Sequence, residues 1–199
     1  MHNAGGTQLS GLSYAGWGVP GKIMDNKQPY LDQSVKSMKE IIKTAEDCGV
    51  TYCVEAVNRF ETCIINTAAE ALDYIARVDS PNIGVLLDTY HMNIEETSFA
   101  KAIEAVGPER LKSFHTGENN RTAPGRGHIN WDEIFSSLAK IGYRGPIVSE
   151  PFVMQGGEVG RDIHVFRDLV ENPCEAVIDA EAAYLLNFER NMLKKYSAD

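Results

Sequence analysis

The chain has 199 residues, 43% hydrophobic and 24% charged, which is ordinary for a globular protein and enough to bury a substantial core. Its net charge of -9 works against phosphate-backbone binding, which is driven by Lys and Arg, so nucleic acid is not an expected partner. No apolar run approaches the roughly 20 residues of a membrane span, and Met1 to Gly6 lacks the basic and apolar regions of a secretion signal. The expected location is therefore the cytoplasm, with no membrane partner. Cys48, Cys53, Cys63 and Cys174 form no CxxC pair, which leaves a zinc ribbon or thioredoxin-like site unsupported; reduced, packed thiols are expected.

Along the chain, apolar strands alternate with helical spacing. A short apolar segment, Leu9 to Tyr14, precedes a loop through Gly16, Gly18, Pro20 and Gly21. From Tyr30 to Cys48 the residues Leu31, Val35, Met38, Ile41, Ile42 and Ala45 fall on one helical stripe, which Gly49 ends. Thr51 to Glu55 is nearly continuous in apolarity, as in a strand buried on both faces of a parallel sheet. Thr67 followed by Glu70 has the pattern of a capping box. Ile83 to Leu87 is the next strand, ending in Asp88. A helix from about Ser98 to Ala105 is closed by Gly107-Pro108. Leu111 to Phe114 is a strand ending in His115, and Trp131 to Ile141 a helix closed by Gly142. Pro146 to Ser149 is the last strand, ending in Glu150. Two helices, about Asp162 to Val170 and Ala176 to Lys195, finish the chain.

About five strand–helix units in βαβα order argue for a parallel α/β fold. No Gly-x-Gly-x-x-Gly follows a strand and there is no P-loop, so Rossmann and NTPase readings are unsupported. The Gly125-Arg126-Gly127 segment has no helix N-terminus after it and is read as a turn.

Four successive strands end in a metal-competent residue: Glu55, Asp88, His115 and Glu150. In a parallel barrel the C-terminal strand ends converge on the face that carries the active site. A single strand-end glutamate is more often a solvated or capping residue; four in a row are harder to assign that way. Three carboxylates and one imidazole suit Mn²⁺, Co²⁺ or Mg²⁺ better than a structural zinc.

The segments around these residues carry a resemblance. Val54-Glu55-Ala56-Val57-Asn58-Arg59-Phe60-Glu61, Leu87-Asp88-Thr89-Tyr90-His91-Met92-Asn93-Ile94-Glu95-Glu96, Phe114-His115-Thr116-Gly117-Glu118-Asn119-Asn120-Arg121 and Ser149-Glu150-Pro151-Phe152 resemble motifs of the D-tagatose 3-epimerase and D-psicose (D-allulose) 3-epimerase family. The resemblance runs from about Gly6 to Lys194. It implies a (β/α)₈ TIM barrel, here incomplete, with strands four to eight in a single domain over residues 1–199 and C-terminal helices from about 161. It also implies a divalent metal, commonly Mn²⁺, held by Glu55, Asp88, His115 and Glu150. Glu55 and Glu150 would be the acid/base pair, Glu61, His91 and Arg121 would bind substrate, and Trp17 would lie near the sugar. The implied activity is epimerisation of free ketoses at C3. Tyr90, Ser149 and Gly18 depart from the usual Phe, Met and Pro, which bears on sugar preference more than on chemistry.

On the residues alone, Glu61 has a structural alternative, an ion pair with Arg59. Other readings are an aldose–ketose isomerase and a fragment that keeps metal and sugar affinity without turnover. An endonuclease-like barrel needs several zinc histidines and a basic groove, which five histidines and a charge of -9 do not provide. An incomplete barrel exposes a sheet edge and core, so a homo-oligomer is expected.

Overall fold

The structure, a computed structural model, describes residues 2–18 and 26–196; Pro20 and Gly21 of the expected loop lie outside them. Five strands, β1 (Gln8–Gly11), β2 (Thr51–Ala56), β3 (Ile83–Asp88), β4 (Leu111–Thr116) and β5 (Ile147–Ser149), lie in sequence order in one all-parallel sheet. Helices α1 (Gln28–Cys48), α2 (Ala68–Val78), α3 (Thr89–Glu95), α4 (Phe99–Arg110) and α5 (Trp131–Lys140) connect them, and α6 (Gly157–Asp162) and α7 (Glu175–Tyr196) follow β5.

The sheet has two unlike faces. Tyr52, Val54 and Ala56 of β2, Ile83, Val85 and Leu87 of β3 and Phe114 of β4 join the main apolar core with Val35, Met38, Tyr74, Ile103, Ile134 and Phe135 of the helices. The alternate positions, Cys53 and Glu55, Leu86 and Asp88, Ser113 and His115, face the concave side. All six residues of β3 are buried, as expected of a central parallel strand covered on both faces.

A bulge keeps this alternation in phase on β4. Val85 pairs with Leu111 but Leu86 with Ser113, so Lys112 is the extra residue. Leu111 therefore joins the helix-side core while Ser113 and His115 face inward. Gly84 makes room for the extra side chain: a Cβ there would lie 2.2 Å from Lys112 Cγ and 3.0 Å from the Arg110 carbonyl.

Local signals set most helix ends. Gly49, at φ 63°, ends α1 by donating its N–H to the Ala45 and Glu46 carbonyls. Thr67 accepts the Glu70 N–H at the start of α2, and Glu70 reciprocates one residue early, on the N–H of Asn66 at 2.7 Å. Gly107, at φ 68° and ψ 169°, breaks α4, and Pro108 begins a last helical turn beyond the break.

Three expectations need correction, and one unassigned segment is filled in. The first strand stops at Gly11, and Tyr14 instead buries its ring and donates its hydroxyl to the Glu55 carbonyl at 2.7 Å. Ile41 lies off the buried stripe of α1 and is 56% exposed. The segment after Asp88, unassigned from the sequence, is the helix α3. No helix spans Asp162 to Val170: α6 precedes it, so the C-terminal helices begin at Gly157 rather than about 161. There His164 turns the chain at φ 63°, Leu169 N–H bonds back to the Val153 carbonyl at 2.7 Å, and Gln155 N–H to Asp168 at 2.9 Å. The apolar spacing of Ile163, Phe166 and Val170 matches a helix, but these cross-loop bonds win because the segment packs no face on the core.

Leu87→Ala, at a position with no exposed surface, is expected to cost about 2–5 kcal/mol, the range for emptying a buried leucine site; urea denaturation followed by circular dichroism measures it.

Candidate active site

At the C-terminal edge of the sheet, Glu55, Asp88, His115 and Glu150 each present one ligand atom, all within 4.8 Å of one another. The register explains the convergence: Asp88 of β3 pairs directly with His115 of β4, Glu55 lies one strand away, and Glu150 is the first residue beyond β5. The Glu150 N–H bonds to the Thr116 carbonyl at 2.9 Å, which fixes its backbone.

This donor set fits a divalent ion. Among the described residues, His115 Nδ1 is the one buried side-chain polar atom with no hydrogen-bond partner. A lone imidazole nitrogen aimed at three carboxylates is what a cation site requires, and a buried polar atom otherwise finds a partner. Glu150 Oε2 lies 3.8 Å from it. Asp88 has a second role, since its Oδ1 caps α3 by accepting the N–H groups of Tyr90 at 2.7 Å and His91 at 3.4 Å.

Arg121 compensates the crowded negative charge. Its Nη1 donates to Asp88 Oδ2 at 2.9 Å and Glu150 Oε2 at 3.4 Å. Its guanidinium lies 4.1 Å from the Tyr90 ring centroid and 5.4 Å from that of Phe152. Its backbone takes the left-handed φ of 65°, held by Arg121 N–H to the Glu118 carbonyl and Phe152 N–H to the Arg121 carbonyl. Such a conformation is uncommon for a non-glycine residue and recurs at functional sites.

His91 is neutral at ordinary pH. Burial pushes it down to about 4, outweighing the pull of Asp88 and Glu150, so its approaches to Glu55 and Glu61, 3.7 and 3.8 Å, are not ion pairs. Its Nδ1 accepts the Asn58 N–H at 3.1 Å, which puts the ring proton on Nε2. Arg121 Nη2 stands 3.1 Å from Nε2, and both are then donors. Two donors side by side at a pocket wall are arranged for an oxygen acceptor that touches both.

Asn58, which the sequence reading left unassigned, organises this corner. Its Oδ1 accepts the Phe60 N–H, orienting Nδ2 toward His91 Nδ1 at 2.9 Å and Glu61 Oε1 at 3.0 Å. Arg59 pairs instead with Glu95, through Nε at 3.0 Å and Nη2 at 2.8 Å, so Glu61 is not its partner. Glu118 is a second unassigned organiser. Fully buried, it accepts the N–H groups of Gly125 at 2.8 Å and Ile129 at 3.2 Å and the Trp131 indole N–H at 2.7 Å. The Gly125-Arg126-Gly127 turn wraps around it; a Cβ on Gly127 would lie 2.4 Å from Glu118 Oε2. Both organisers sit inside the motifs quoted above, but their partners are not readable from the motif.

The pocket, about 470 Å³, is lined by Glu55, Glu61, His91, Arg121 and Glu150, with Trp17 and Phe152 on its apolar walls. All eight residues singled out from the sequence thus fall at one place; Trp17, 58% exposed, stands at its rim.

The family model of the xylose isomerase-like TIM barrel matches residues 8–179. The chain belongs to that family. Its sheet is a five-stranded part of a (β/α)₈ barrel, in agreement with the sequence reading. It is 46% identical over 186 residues to the D-psicose 3-epimerase of Ruminiclostridium cellulolyticum, covering 94% of this chain and 63% of that protein. It is 40% identical over 185 residues to the D-psicose 3-epimerase of Agrobacterium fabrum, covering 93% and 64%. The crystal structure of D-psicose 3-epimerase with D-tagatose from Clostridium cellulolyticum H10 superposes with a TM-score of 0.88 at 46% identity, over 94% of this chain and 64% of that one. The chain spans just under two thirds of the length of these relatives.

Burial, with Asp88 and Glu150 adding to it, raises the Glu55 carboxyl well above its ordinary value of 4.5. A carboxyl raised in the folded state contributes stability that is present below the unfolded value and lost as pH rises through the folded one. In EDTA, Glu55→Gln is therefore expected to have a higher urea midpoint than the unsubstituted protein at pH 8, with the gap closing toward pH 4.5. An equal gap at both values would show that the charge is not the cause.

Proposed function

We propose that the chain carries the active centre of a metal-dependent ketose 3-epimerase. The observation that supports this most directly is the meeting of Glu55 and Glu150 with Asp88 and His115 within 4.8 Å, beside the paired donors His91 and Arg121. The similarity to D-psicose 3-epimerases and to the L-ribulose 3-epimerase of Methylomonas sp., 39% identical over 153 residues, points the same way.

The proton on C3 of a 2-ketose is acidic because the C2 carbonyl takes up the charge as an enediolate. A divalent ion, most suitably Mn²⁺ with Co²⁺ or Mg²⁺ as alternatives, would be held by Glu55, Asp88, His115 and Glu150 and would polarise that carbonyl. Inversion needs one carboxylate to remove the proton from one face of C3 and another to return a proton to the other face. Glu55 and Glu150 fill these roles from well-separated strands, exchanging them with reaction direction. The raised Glu55 carboxyl suits proton exchange nearer neutral pH than an ordinary glutamate. The His91 Nε2 proton and Arg121 Nη2 receive the developing negative charge on O2. Glu61, fixed by Asn58, accepts a sugar hydroxyl, and Trp17 covers the apolar side of the sugar.

The substrates proposed are D-tagatose, D-fructose, D-psicose and ketopentoses. The half-exposed Leu9 and Val148, on the edge strands β1 and β5, also favour association with a second copy. A second reading, a fragment, is a centre that binds metal and sugar without turnover.

The test is the protein with Mn²⁺ in D₂O, following C3–H of D-fructose, D-tagatose and D-ribulose by NMR. Metal-dependent loss of the signal with appearance of the C3 epimer is expected, and Glu150→Gln should slow it by about 10²–10⁴-fold. Aldose product would point to an isomerase, and tight Mn²⁺ binding without exchange to the fragment reading. Arg121→Lys keeps the charge but loses the planar fork; it is expected to lower kcat by more than tenfold, measured by the same exchange.

A further inference from the structure

Helix α7 has 22 residues, and the one buried among them is an acid, Glu189. A carboxylate removed from water normally has a cationic partner or a full set of donors. Among the described residues Glu189 takes part in no ion pair; its Oε1 accepts the Thr116 hydroxyl at 2.5 Å and the Ser149 hydroxyl at 2.6 Å, and the two hydroxyl oxygens are 2.7 Å apart. Apolar side chains of the same size would fill the space at less cost in desolvation.

The place of these contacts suggests why a carboxylate stands there. Thr116 and Ser149 are register partners on β4 and β5. Thr116 follows His115, and Ser149 precedes Glu150. Because side chains alternate across a strand, Thr116 and Ser149 point to the helix side while His115 and Glu150 point to the pocket. One oxygen of α7 thus pins the two strands together on the far side of the sheet, just where two of the four converging side chains leave it. β5 needs such support, being three residues long and, among the described residues, paired with β4 alone.

We propose that Glu189 is a positioning residue: through Thr116 and Ser149 it fixes the separation of His115 and Glu150, and so the metal affinity of the site. This rests on the metal-site reading above. Groups that hold metal ligands in place from behind typically change affinity 10–100-fold when removed.

The experiment is titration of the whole protein with Mn²⁺, following the loss of the free-ion electron paramagnetic resonance signal, for Glu189→Ala, Glu189→Gln and Ser149→Ala. Met192→Ala, on the same helix and packed against the core, controls for general destabilisation of α7. Glu189→Ala is expected to weaken Mn²⁺ binding at least tenfold. Ser149→Ala, which removes one of the two donors and keeps the fold readable if Glu189→Ala is too unstable, is expected to weaken it several-fold. Glu189→Gln keeps an oxygen acceptor and should stay within about threefold of the unsubstituted protein. Met192→Ala should lower Tm without moving the Kd. Where turnover is measurable, kcat should fall in Glu189→Ala with KM for ketose nearly unchanged. Binding by Glu189→Ala and Ser149→Ala equal to that of Met192→Ala would overturn the positioning role while leaving the metal site intact. Failure of the unsubstituted protein to bind Mn²⁺ would overturn the metal site and this inference with it.

Discussion

The constraint on which the structure turns is electrostatic: Glu55, Asp88 and Glu150 stand together with Glu61 beside them, and among the described residues only Arg121 is a permanent cation in contact with them. Left to themselves these carboxylates would separate or take up protons. They do neither freely, because Glu55 and Asp88 are carried by strands whose positions are set by the apolar core on the opposite face, and Glu150 directly follows one. The response to the crowding is uneven. Burial pushes the Asp88 carboxyl up, but the Arg121 guanidinium outweighs it and leaves the group below its ordinary value. Glu55, farther from Arg121, is raised. Neighbouring acids thus acquire different proton affinities from their distance to one guanidinium.

That guanidinium depends on a chain of local devices. Arg121 needs a left-handed backbone, and the loop that carries it folds around the buried Glu118. The rings of Tyr90 and Phe152 lie close to the guanidinium. Tyr90 is placed by α3, which Asp88 caps with the same carboxylate that Arg121 binds. Cap, ion pair and aromatic contact share atoms, so a change to one is felt by the others, and single substitutions here should not act additively.

Much of this was legible in the sequence because parallel strands advertise themselves. An apolar run that ends abruptly in Glu, Asp or His places that residue at a strand terminus, and four such termini in one parallel sheet must lie on one edge. The order of elements and the tagged residues followed from this alone, and the motif resemblance added the implied chemistry. What stayed hidden depended on contacts distant in sequence. α3 is seven residues long and is capped by a residue already assigned to a strand end. Asn58 meets His91 across 33 positions, and Glu189 meets Thr116 across 73; neither separation leaves a periodic trace. The helix expected over Asp162 to Val170 had the right spacing but no core surface to pack on, and periodicity alone does not stabilise a helix.

The bulge at Lys112 works as a frame-setting insertion within β4. Leu111 must reach the helix side and His115 the pocket side, yet four positions separate them, an even number that an unbroken strand would place on one face. The extra residue absorbs the mismatch. Regular pairing along the whole strand with no residue removed would turn either the core leucine or the site imidazole to the wrong side, whereas loss of the bulge together with one residue would keep both in place. The length of this strand and its bulge are therefore coupled: neither can change without the other. A relative that keeps the histidine's role but lacks the bulge should therefore have one residue fewer between the core position and the histidine.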